Sequence, residues 1–93
     1  MKISTKYHDN VIEISVEGHT DAADCHFVSG TLWSLLAFFT NDKGSEVIKH
    51  SFESGDSYLK AKTDKKDIVI YTDIAFRQLQ YNNPNIEYHY NKV

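Results

Sequence analysis

The stretch Gly18-His19-Thr20-Asp21-Ala22-Ala23-Asp24-Cys25 joins two kinds of periodicity, and its reading decides the fold. Before it, Ile12, Ile14 and Val16 alternate with Val11, Glu13, Ser15 and Glu17, the two-residue period of a half-buried strand. After it, Phe27, Val28, Thr31, Leu32, Leu35, Leu36, Phe38 and Phe39 recur at three- and four-residue intervals, the period of a helix. Gly18 ends the strand. Asp24, or the earlier Thr20 or Asp21, caps the first amides of a helix beginning at about Asp24. The single cysteine therefore stands at a helix start, six residues after a histidine.

Upstream, Ile3, Thr5 and Tyr7 alternate with Lys2, Ser4 and Lys6, and His8-Asp9-Asn10 turns this strand into the next as a hairpin. Downstream, the helix stops near Asn41-Asp42-Lys43-Gly44, with Gly44 suited to a left-handed cap. Glu46 to Glu53 reads as a third strand with Ile48, His50 and Phe52 on one face. Ser54-Gly55-Asp56 turns it, and Tyr58 to Lys62 returns with Leu59 and Ala61 inward. A second helix, about Lys65 to Tyr81, is expected to bury Ile70, Tyr71, Ile74, Ala75 and Leu79. Asn82-Asn83-Pro84-Asn85 breaks it, and Ile86, Tyr88 and Tyr90 alternate in a closing strand. The order ββαββαβ predicts an α+β two-layer sandwich, a mostly antiparallel sheet with both helices on one face.

The 93 residues fit one domain, 1–93, whose core is thin enough that homodimerisation is an expected support. A net charge of -3 with no basic run argues against direct nucleic-acid binding, which needs a cationic stripe for phosphates. The greasiest run, Thr31 to Phe39, falls short of the ~20 residues of a spanning helix, so no membrane partner is expected. One cysteine and no apolar leader point to a reducing, cytoplasmic setting.

A thiol at a helix start with an imidazole in reach of a glycine-led loop is a candidate nucleophile with its base. Helix-end charge alone favours an anion by roughly 0.3–1 kcal/mol, so His19 must supply the rest. Asp21 and Asp24 are placed either to orient that imidazole or to face the sulfur. Ser29, one turn after Cys25, can donate a hydrogen bond near it. Gly30, inside a helix, implies a close backbone or substrate approach, or a tight helix–sheet contact. A lone cysteine is also among the residues most often packed inertly, and composition leaves both readings standing. His19, Cys25 and His26 make a poor metal set, because consecutive helical residues diverge by about 100° and structural zinc takes four ligands. No metal and no cofactor are expected.

The Gly-His start, the short loop, the helix-opening cysteine and the Cys25-x-x-Val28-Ser29 pattern resemble the ribosomal-processing cysteine protease family, Prp. The resemblance runs the length of the chain, through Asn83-Pro84-Asn85-Ile86-Glu87-Tyr88 into the last strand. It implies a dimeric cytoplasmic protein that removes a short N-terminal extension from a large-subunit ribosomal protein, or processes a phage structural protein. Cys25 would be its nucleophile and His19 its general base, with Gly18, Asp24, His26 and Ser29 supporting the site. Where the family has Ala after its His and small residues after its Cys, this chain has Thr20, His26 and Phe27. A second reading takes His26 and Phe27 as crowding the site, leaving a non-catalytic protein-interaction module.

Overall fold

The computed structural model describes residues 1–92. Its elements are β1 (Lys2–His8), β2 (Val11–Glu17), α1 (Ala22–Asn41), β3 (Ser45–Glu53), β4 (Asp56–Thr63), α2 (Lys66–Asn82) and β5 (Glu87–Lys92). The sheet order is β3-β4-β2-β1-β5, with β5 parallel to β1 and every other pair antiparallel. This is the α+β sandwich that the element order predicts.

Alternation puts one face of the sheet under the helices. Ile3, Ile12, Ile14, Leu59 and Ala61 are fully buried there, against Val28, Leu32, Leu35 and Phe39 of α1 and Val69 and Phe76 of α2. The β1–β2 hairpin turns on Asp9 and Asn10, both at positive φ (51° and 64°), the handedness that matches the twist of the flanking strands. α1 starts at Ala22 rather than at Asp24, because Asp21 is the residue whose side chain caps it, accepting from the Asp24 amide at 2.9 Å. It ends on Asp42 in an extended conformation, and Gly44 has no left-handed φ.

Two expected faces are corrected. In α2 the buried stripe is Val69, Thr72, Phe76 and Leu79, while Ile70, Tyr71 and Ile74 are 55–60% exposed. The helix carries two apolar stripes, and the sheet takes the one ending on Leu79. In β3 a register shift between Val47 and Lys49 leaves Ile48 outside the alternation, half exposed, while Val47 and Phe52 pack on the core. The 20-residue α1 is long and apolar enough, by length and composition, to cross a membrane, which the count from Thr31 to Phe39 understated. Its Val28-Leu32-Leu35-Phe39 stripe is seated on the sheet, as in a core helix.

Candidate active site

At the end of the sheet where β2 hands over to α1, the strand closes on Gly18 with φ +85°. The Gly18 amide donates to the carbonyl of Gly55, in the β3–β4 turn, at 2.9 Å. Gly55 is itself left-handed, φ +77°, so two conformationally free residues lock the loop to the hairpin. The ring of His19 lies against this turn. A β-carbon added to Gly55 would stand 2.7 Å from its Nε2 and 3.2 Å from its Cε1.

Cys25 is the fourth residue of α1. Its amide is already engaged in the helix, donating to the Asp21 carbonyl at 3.0 Å. The thiol is half-buried and meets the loop backbone: the Thr20 amide donates to Sγ at 3.5 Å, and Sγ donates to the Thr20 carbonyl at the same distance. Among the described residues, the sulfur's hydrogen bonds are thus to Thr20 and not to the imidazole.

His19 and Cys25 nonetheless line one cavity of about 360 Å³, together with Gly18, His26 and Ser29. Its far wall is aromatic, with Trp33 of α1 edge-on to Phe52 of β3 at 4.9 Å between ring centres. Asp24 is placed elsewhere. Its carboxylate accepts from Asn83 Nδ2 at 2.7 Å, and Asn83 also reaches Thr20 Oγ1 at 3.0 Å and Asp21 Oδ2 at 3.2 Å. The acidic residues of the loop therefore hold the helix start instead of orienting the imidazole or facing the sulfur. Phe27 turns away from the cavity into the groove between the helices, so of the two bulky neighbours only His26 lines the cavity. Gly30 approaches nothing: a β-carbon there has no neighbour within 4 Å.

The amides of Ala22 and Ala23 have no acceptor one turn back, as the first residues of a helix. Neither residue lines the cavity. Sequence reasoning missed Gly55 and Asn83, which it treated only as a turn and a helix breaker. Both act across more than thirty residues of chain on the loop that begins at Gly18. Among the described residues no group of three or more His, Cys, Asp and Glu is placed to hold a metal ion.

No family model matches the chain, and no curated protein matches it in sequence. Among solved structures it is similar to the essential ribosomal processing protease Prp from S. aureus, determined in complex with a covalently linked product peptide. The TM-score is 0.72 at 13% identity, over 97% of this chain and 98% of that one. The likeness establishes the fold, in agreement with the resemblance seen in the sequence.

Proposed function

We propose that this chain is a cytoplasmic cysteine endopeptidase with Cys25 as nucleophile and His19 as general base. It trims a short N-terminal extension from a large-subunit ribosomal protein or from a phage structural protein. The observation that carries this reading is the meeting of His19 and Cys25 on one open cavity, in a fold shared end to end with a processing protease.

In this reaction the imidazole takes the Sγ proton and the thiolate attacks a peptide carbonyl. The C–N bond breaks as the imidazolium returns a proton to the leaving amine, and water then hydrolyses the thioester. The Thr20 amide beside the sulfur is a donor that the thiolate can use. The imidazole must come within hydrogen-bond reach of Sγ when substrate is bound, a tightening common between free and occupied active sites. Homodimerisation belongs to the same proposal. The apolar stripe of Phe27, Ile70, Tyr71 and Ile74, left open on the helical layer, supports it.

The rate of Cys25 alkylation against pH tests the dyad. A fast reaction near pH 6 that slows at least tenfold in His19→Ala supports it, as does cleavage of extension peptides that is lost in Cys25→Ala. A thiol equally slow in both proteins until denaturant is added would sink it. One observation favours a second reading, an interaction module without catalysis: the thiol is bonded to the Thr20 backbone rather than to His19. Light scattering after gel filtration separately decides the dimer, which a monomer mass would remove.

A further inference from the structure

We infer that Gly55 is a positioning residue for His19: its bare α-carbon is the seat on which the imidazole rests beside the cavity shared with Cys25. The inference rests on the dyad proposed above and extends it to the β3–β4 turn. Three observations carry it. The ring's Nε2 edge lies where a side chain at position 55 would begin, at 2.7 Å, so any β-carbon there must push the exposed ring of His19 aside. The loop bearing the ring is tied to the same residue through the Gly18 amide and the Gly55 carbonyl, at 2.9 Å. Gly55 also lines the cavity, between the carboxylate residues Glu53 and Asp56 and across from α1.

The seat fixes the ring in a specific sense. With Nε2, Cε1 and Cδ2 nearest the turn, Nδ1 is the ring nitrogen turned away from it. A methyl at position 55 lifts the ring and frees its torsions, and displacement of a catalytic group by about 1 Å can cost on the order of a hundredfold in rate.

The test combines a double-mutant cycle with nuclear magnetic resonance. In the unaltered protein, the Gly55 α-protons should show Overhauser contacts to the His19 ring protons, and their absence overturns the inference. Gly55→Ala should slow Cys25 alkylation at least tenfold near neutral pH and shift the midpoint of its pH–rate profile. That effect should vanish in a His19→Ala background, while Gly30→Ala, a glycine change elsewhere on α1, leaves the rate unchanged. An equal slowing in both backgrounds would mean mere damage to the hairpin and overturns the inference, as does no slowing at all. If the left-handed backbone at position 55 prevents Gly55→Ala from folding, the Overhauser contacts decide. If His19→Ala alone leaves alkylation untouched, the protease reading falls, and the contacts alone decide where the ring sits.

Discussion

Asn83 Nδ2 lies 2.7 Å from Asp24 Oδ2, tying the connection between α2 and β5 to the first turn of α1. The same amide nitrogen serves Thr20 Oγ1 and Asp21 Oδ2, so two hydrogens are shared among three acceptors. Its Oδ1 accepts from the Asn85 amide, which fixes the side chain at its own end. The segment between His19 and Cys25 is therefore held from outside.

Asn83→Ala should lose about 1–2 kcal/mol, the scale of hydrogen bonds to charged acceptors reduced for partial exposure. Asn83→Asp should lose more at neutral pH, because it sets a third carboxylate against Asp21 and Asp24. The gap between the two variants should close as pH falls below the carboxylate range. Urea denaturation at two pH values checks this, and an Asp variant at least as stable as the Ala variant at pH 7 contradicts the clasp.

Gly30→Ala should stabilise the protein by about 0.5–1 kcal/mol, since glycine inside a helix costs that much relative to alanine and nothing obstructs a methyl there. A rise of a few degrees in melting temperature is expected for a domain of this size. A fall would mean that something covers this part of the groove between the helices.

How much of this was legible in the sequence depends on the range of the interaction. Strand alternation fixes Ile3, Ile12, Ile14 and Leu59 on the inner face, because a two-residue period admits no other solution. The α1 stripe is equally plain. In α2, by contrast, Val69, Thr72, Phe76 and Leu79 compete with Ile70, Tyr71 and Ile74, and only the position of the sheet decides between them. The extra residue in β3 follows from pairing with β4, which no local pattern announces. His19 and Cys25 stand out as residue types, whereas Gly55 and Asn83 matter only through contacts distant in sequence.

That choice of stripe has a measurable consequence. Phe76→Ala should lose about 3–5 kcal/mol, as expected for an aromatic ring removed from a packed core. Ile70→Ala should stay within about 0.5 kcal/mol of the unaltered protein, as an exposed substitution does. A loss at Ile70 that grows as protein concentration rises would instead place that residue in the dimer contact.

The phenol of Tyr58 donates to Glu13 Oε2 at 2.8 Å, across the β2–β4 pair. Burial, and then this bond to a carboxylate, push its pKa up to about 12 from the usual 10.0. Between those values the unfolded chain has released the proton and the folded one retains it. Stability is thus insensitive to this group below pH 10 and falls as pH rises towards 12. Tyr88, more deeply buried and bonded to Asp73 at 2.9 Å, is raised further and acts in the same direction. Tyr58→Phe should therefore flatten part of the alkaline decline, and Tyr58→Phe with Tyr88→Phe should flatten more of it. Urea midpoints measured across this interval, beside tyrosinate absorbance of the folded protein, give the comparison. An unchanged slope in the double variant would show that these two phenols ionise as freely in the fold as in the open chain.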